Sequence, residues 1–372
     1  METVLKVVFT GDIAFSNYFE TISDDSFLSP EIKDYLHMAD FVVANVECPI
    51  TERVFERTVS HLHSSHPYVG ELLHRMNMKI WNIGNNHIMD CSAEGIRDTI
   101  RCAEDNGCVT IGAGDSLEKA SKAIALGDYV KVGIISIAKP WDFVKSDTDK
   151  AGAFTWDRRD IIAQRIHELR QECDWVVLVV HGGDEFSNMP MPYVRNKYLA
   201  LLELDADIIV GHHPHVVQNY ERVGEKLIVY SLGNFIFDTD YQRDYAHTDV
   251  GILLSIDFEK EKYQIDYLPV KINRDKQIVE VGNIPSIFCE INANEYERLW
   301  PLAAKELQKL NNRKWLLTQK TFPHSNQFTL TIHNVLGYRR VSNRILMKGR
   351  MKSLRKTWAS SELSHVCEYL QQ

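Results

Sequence analysis

The chain carries none of the usual cysteine devices. Its seven cysteines (Cys48, Cys91, Cys102, Cys108, Cys173, Cys289 and Cys367) are scattered, odd in number and never spaced as C-x-x-C. That excludes a disulfide framework or a zinc knuckle and leaves reduced thiols, mostly small core residues. A span of about twenty apolar residues is also missing, as is a basic segment followed by a long apolar run near Met1. No transmembrane segment is therefore expected. The chain reads as cytoplasmic as given, and as extracytoplasmic if a leader has been removed. Positive charge is in short supply: 42 Lys and Arg against 51 Asp and Glu give a formal net charge of −9, which argues against a specific nucleic-acid partner. Internal repeats and low-complexity segments are absent, and nothing bears on oligomeric state.

What is present is an ordinary globular composition, 44% hydrophobic and 25% charged, in a chain of 372 residues that can bury a large core. Short apolar runs (Val4–Phe9, Phe41–Ala44, Lys79–Ile83, Val130–Ile137, Trp175–Val180, Ile208–Val210, Leu227–Tyr230) alternate with amphipathic stretches (Glu31–Met38, Tyr68–Met76, Ala93–Asp105, Arg159–Glu172, Tyr193–Leu204). This alternation predicts an α/β fold with helices covering a sheet. From about Asp249 two longer runs, Gly251–Phe258 and Tyr263–Val270, read as a hairpin added to that sheet. Residues 291–311 read as helix. Between Pro301 and Lys356 the chain has thirteen Lys or Arg and one acidic residue, Glu306. We therefore expect a main domain over residues 1–290 and a basic, partly helical appendage over 291–372. The appendage is either a solvated helical face or a surface for an anionic polymer, a phosphate-rich glycan or a membrane.

Polar clusters follow the apolar runs at their C-terminal ends: Thr10-Gly11-Asp12, Asn45-Val46-Glu47, Gly84-Asn85-Asn86-His87, His181-Gly182-Gly183-Asp184-Glu185 and Gly211-His212-His213-Pro214-His215. In open α/β sheets ligands bind outside those strand ends, so the clusters should converge. Three imidazoles within four positions, stiffened by Pro214, suit metal ligation better than packing. Asp12 could equally be a turn carboxylate, Glu47 a surface one, and Asn86-His87 part of a capping turn before a helix that Ser92 could cap. Together they supply the carboxylate, amide and imidazole donors of a paired-cation site with one bridging ligand. Asp184 and Glu185 could orient ligands or touch substrate. Ser231-Leu232-Gly233-Asn234 reads as a turn that either lines the same pocket or only supports core aromatics. Cys48, beside Glu47, reads as packing, and His61, His63 and His66 form a small cluster without a local carboxylate.

Assembled in this order, and with Ser231-Leu232-Gly233-Asn234-Phe235, these motifs make residues 4 to 258 resemble the bacterial capsule-synthesis CapA (PGA-cap) family, a branch of the calcineurin-like metallophosphoesterase superfamily. The resemblance implies a four-layer α/β/β/α sandwich with two divalent metal ions, Mn, Fe or Zn by donor type. It implies Asp12, Glu47, Asn86, His181, His213 and His215 as ligands, Glu47 bridging. His87 would be the acid beside the leaving group, with Asp90 in the same motif as its catalytic companion. Asn45, His212, Glu185 and Asn234 are the candidate substrate contacts. One departure stands out: the wider superfamily has Asp-x-His in its first motif, whereas Asp12-Ile13-Ala14 supplies only the aspartate. The implied function is metal-dependent hydrolysis or transfer of a phosphoester or amide bond in capsule or poly-γ-glutamate synthesis, with capsule synthase components as partners. Two alternatives stay open: a non-catalytic module that holds the polymer for a synthase, and a phosphodiesterase unrelated to capsules.

Overall fold

The structure, a computed structural model, describes residues 4–15, 17–53 and 64–321. Two sheets stack face to face with helices outside each, giving the expected α/β/β/α layering. In the larger sheet the spatial order is Ile278–Val281, Tyr263–Asn273, Val250–Phe258, Leu5–Ala14, Phe41–Val46, Ile80–Asn82 and Val109–Ile111, with Asn234–Phe237 pairing beside Leu5–Ala14. The second sheet runs Tyr220–Val223, Lys226–Val229, Ile208–His212, Trp175–His181, Val132–Ala138 and Ile124–Leu126. Its four inner strands are parallel and its two edge strands antiparallel. The hairpin joins the first strand antiparallel, from Leu5 opposite Phe258 to Phe9 opposite Leu254.

Both faces of the central strands are buried, which is why they read as near-continuous apolar runs. The period of two still sorts their side chains. Val7, Phe9 and Val43 point between the sheets and meet Val177, Val179, Ile208 and Val210. Val8, Val42 and Ala44 point outward onto the helices Pro30–His37, Val69–Arg75 and Ser92–Asp105, through Ile32, Leu36, Leu72, Leu73 and Ile96. On the far side Val176, Leu178, Val180 and Ile209 meet Ile162, Ile166 and Leu169 of Arg159–Arg170, and Tyr198 and Leu202 of Pro192–Leu202.

Ser92 does not cap its helix. It is the first helical residue, held at φ +61, and Cys91 occupies the cap position without a side-chain hydrogen bond. The C-terminal helix does begin with a capping box: Asn292 Oδ1 accepts from Glu295 N–H and Glu295 Oε2 from Asn292 N–H. This helix, Ala293–Thr321, is docked at its start. Tyr296, Leu299 and Ala303 pack on Met189 and Met191, Tyr296 donates to the Pro190 carbonyl at 3.0 Å, and the Arg195 guanidinium lies over its ring at 4.6 Å. Residues 322–372, with most of the basic run, lie outside the described residues, as do His61 and His63. No helix among the described residues is long and apolar enough to cross a membrane.

A backbone crossing fixes the first strand end. Asp12 N–H donates to the Gly233 carbonyl at 2.8 Å, and Asp12 and Ala14 pair with Asn234 and Phe237 across a register shift. A Cβ on Gly11 would overlap the Gly233 oxygen, and Gly233 itself sits at φ +68. Backbone cannot yield there as a flexible side chain could. Gly11→Ala is therefore expected to cost about 3 kcal/mol or more in urea denaturation. A loss below about 0.5 kcal/mol would show that the crossing is slack.

Candidate metal centre

The five polar clusters that follow apolar runs in the sequence sit at or near the C-terminal ends of strands, and the fold brings these ends to one place. Asp12 lies two residues before the end of the first strand, Glu47 follows the second, Asn86 and His87 lie past the third, and His181 and His212 end adjacent parallel strands in register with each other. The chain then turns sharply at Pro214. His213 and His215 both adopt left-handed backbone, φ +96 and +58. Non-glycine residues there carry about 1–3 kcal/mol of strain each, and such positions concentrate at functional sites.

The side chains converge on Glu47. Its Oε1 lies 3.4 Å from His181 Nε2 and 3.5 Å from His215 Nε2. Asp12 Oδ2 is 3.1 Å from His215 Nδ1, and Asp12 Oδ1 is 3.4 Å from His212 Nδ1. His181 Nε2 is 2.8 Å from Asn86 Oδ1. Among the described residues two groups have ligand-type atoms all within 4.8 Å of one another: Glu47, His181 and His213, and Asp12, Glu47 and His215. Glu47 belongs to both.

The donor set fits divalent cations on more than spacing. Asp12, Glu47 and His181 are fully buried, and Asp12 Oδ2, both Glu47 oxygens, His181 Nδ1 and His213 Nδ1 have no hydrogen-bond partner. Buried carboxylates left this way are costly unless a cation satisfies them. Burial, followed by the charge of Asp12, pushes the Glu47 carboxyl well above its usual range. Burial alone would raise Asp12 too, but the approach of His212 and His215 outweighs it and holds that carboxyl well below its usual value. Burial lowers His181 strongly and brings His213 down to about 3, so both rings are neutral with lone pairs available.

Around this core the amides hold their neighbours. Asn45 donates to Asp12 Oδ1 at 2.7 Å and accepts from Asn82 Nδ2 at 2.6 Å, and Ser136 donates to Asn82 Oδ1. Asn234 Oδ1 meets His215 Nδ1 at 3.0 Å while its amide donates to Gln242 Oε1 and the Thr248 carbonyl. These amides are thus committed within the protein, and His212 faces Asp12. His87 Nδ1 pairs with Asp90 Oδ2 at 2.7 Å. Burial would lower His87, but Asp90 and then Glu185 and Asp12 carry it above its usual value. Glu185 contacts the Tyr241 hydroxyl at 3.5 Å.

The pattern shared by the family described as bacterial capsule synthesis protein PGA_cap matches residues 6–239, the stretch that holds every residue above except Gln242 and Thr248, with Tyr241 just past its end. The chain belongs to that family. Similar PGA_cap-type relatives include the PGA biosynthesis protein CapA of Bacillus subtilis, 31% identical over 65% of this chain and 66% of its own length. Another is the capsule biosynthesis protein CapA of Bacillus anthracis, 27% identical over 64% of this chain and 61% of that protein. The chain thus spans less than two thirds of either. Among solved structures, a 5'-nucleotidase from Candida albicans aligns at 11% identity and TM-score 0.40, over 73% of this chain and 52% of that one.

In this PGA_cap chain, Ala14, where an Asp-x-His motif would carry its imidazole, is fully buried against Cys48 and Phe237, so apolar packing fills the direction. The Cys48 thiol contacts Ser65 Oγ at 3.1 Å and burial pushes it up to about 12, too high for a nucleophile or a ready ligand. His66 is exposed, 3.8 Å from Glu52, so a local carboxylate does exist for it. Sequence reading passed over Lys139 and Trp141. They follow Val132–Ala138 at its C-terminal end, and the Trp141 ring centre is 5.0 Å from that of His213. The strand-end rule that found the other clusters applies to them equally.

Proposed function

We propose that this chain is a metal-dependent hydrolase that acts on an anionic polymer in capsule synthesis, with poly-γ-glutamate as the substrate class its relatives' names suggest. The observation that carries the reading is Glu47: one buried carboxylate, lacking hydrogen bonds, shared by two carboxylate–imidazole groups. Asp12, Glu47 and His215 would hold one divalent ion, and Glu47, Asn86, His181 and His213 the other. Bound there, Mn, Fe or Zn would lower the pKa of water and stabilise charge at the attacked centre. The rest falls to the protein. Asn45 and Asn234 orient Asp12 and His215, and Asp90 holds His87 Nδ1, directing proton donation to Nε2. A carboxylate-oriented imidazole beside the cluster suits proton donation to a leaving group, a role that holding a polymer does not require.

The test is elemental analysis of protein purified without chelator, followed by assays with a generic phosphodiester and with poly-γ-glutamate. We expect about two ions per chain and turnover of at least one substrate that depends on them. Metal-free protein that binds the polymer as tightly as loaded protein, with no turnover of either substrate, would instead make it a binding module for a capsule synthase. Metal-dependent turnover confined to the phosphodiester would detach it from capsule chemistry.

A further inference from the structure

Lys139 and Trp141 lie at the edge of the candidate centre, and the metal and acid roles above do not use them. Lys139 N–H donates to the His181 carbonyl at 2.8 Å, which ties this segment to a candidate ligand. The Trp141 ring sits edge-on to His213 at 5.0 Å and 6.3 Å from His181. Lys139 Nζ lies 5.6 Å from the Trp141 ring centre and 5.2 Å from that of Tyr193. Two aromatic faces therefore hold the ammonium in place.

Its hydrogen-bond partners are neutral: the Tyr193 hydroxyl at 3.1 Å and the Gly183 carbonyl at 3.4 Å. An ammonium has three donors, so these two leave one over. Among the described residues Lys139 forms no ion pair. Asp184 feels the Lys139 charge and approaches the Tyr193 hydroxyl, while burial raises its carboxyl above its usual value. Lys6, Lys145 and Lys260 have carboxylate partners, Asp257, Asp157 and Asp174, while Lys226 Nζ, like Lys139, donates to a backbone carbonyl. What sets Lys139 apart is its place between two rings beside His181 and His213. The Tyr193 ring beside Lys139 is exposed, apolar surface that a chain could lie along.

We infer that Lys139, walled by Trp141 and Tyr193, is a specificity subsite for an anionic oxygen group of the substrate, a carboxylate or a phosphate, carried next to the bond that reaches the candidate centre. This rests on the hydrolase reading only for the word substrate; the binding itself does not. An anionic polymer presents such groups at every repeat. The subsite would therefore set which bond enters, acting on substrate binding more than on turnover.

The experiment measures binding by calorimetry at low ionic strength for two probes, a γ-linked glutamate oligomer and inorganic phosphate, with wild type, Lys139→Ala, Lys139→Arg and Trp141→Ala. Each protein is tested metal-loaded and after chelation. Lys139→Ala should weaken binding of at least one probe about tenfold, with Lys139→Arg recovering most of it and added salt erasing the difference. That contrast should survive chelation, because it comes from the ammonium. The probe that shows it names the group: the oligomer a carboxylate, phosphate a phosphoryl group. If turnover is measurable, KM should rise about tenfold with kcat nearly unchanged. Unaltered affinity for both probes in Lys139→Ala, with unaltered KM, overturns the subsite while leaving the hydrolase intact. Lys139-dependent binding without any turnover keeps the subsite and removes the hydrolase.

Discussion

Glu47→Gln is expected to strip the protein of most of its metal while leaving the metal-free fold nearly untouched. The two halves of that result have one origin. Glu47 is fully buried, lies beside Asp12, and has two oxygens without hydrogen-bond partners. Burial and the neighbouring charge favour its neutral form when no cation is present, and glutamine copies that neutral shape. In the metal-free state the substitution should therefore change stability by less than about 1 kcal/mol. A cation, by contrast, needs the ionised carboxylate, and both candidate groups share this one. Wild-type protein loaded at about 100 times the dissociation constant gains about 2.7 kcal/mol over its stripped form. That corresponds to a melting temperature higher by roughly 4 °C in a chain of this size. The variant should melt with stripped wild type and ignore chelator. Elemental analysis beside thermal unfolding with and without EDTA checks this, and a Glu47→Gln protein that keeps both ions would sink it.

Much of this was legible in the sequence because the central strands are buried on both sides. Runs such as Trp175–Val180 and Ile208–Val210 announce themselves by apolar content, and each ends in a polar residue whose burial needs a reason. Once the α/β alternation is granted, strand ends must lie at one edge, so the convergence of Asp12, Glu47, His181 and His215 follows from topology. The gaps have physical causes. Val109–Ile111 and Ile124–Leu126 are three residues each, too short for any period to show. Asn234–Phe237 reads as a turn with core aromatics but forms a strand, because a glycine at 233 with positive φ and a bare Gly11 let two backbones touch. That contact pairs residues far apart in the chain, and local pattern cannot reveal it. The commitments of Asn45 and Asn234 depend on Asn82, Gln242 and Thr248, which no spacing singles out. Lys139 was missed for another reason: a lysine after a strand reads as solvated surface until its neighbours prove to be rings and carbonyls.

His87→Ala should lower turnover by about 10²–10⁴ with the metal content unchanged, since the residue stands outside both ligand groups. Asp90→Asn should cost less, on the order of tenfold to a hundredfold, because it removes the carboxylate that orients His87 Nδ1 and raises its proton affinity, yet leaves the imidazole in place. The sharper check varies the leaving group. A general acid matters most when the departing oxygen or nitrogen is strongly basic, and little when it leaves readily as a stable anion. The penalty for His87→Ala should therefore shrink across a series of esters as the leaving-group alcohol becomes more acidic, approaching nothing for nitrophenolates. A ligand or purely structural role predicts a uniform loss across that series, accompanied by falling metal content or melting temperature. Equal loss for every leaving group would remove His87 from proton donation, and with it the strongest reason to place cleavage rather than holding at this centre.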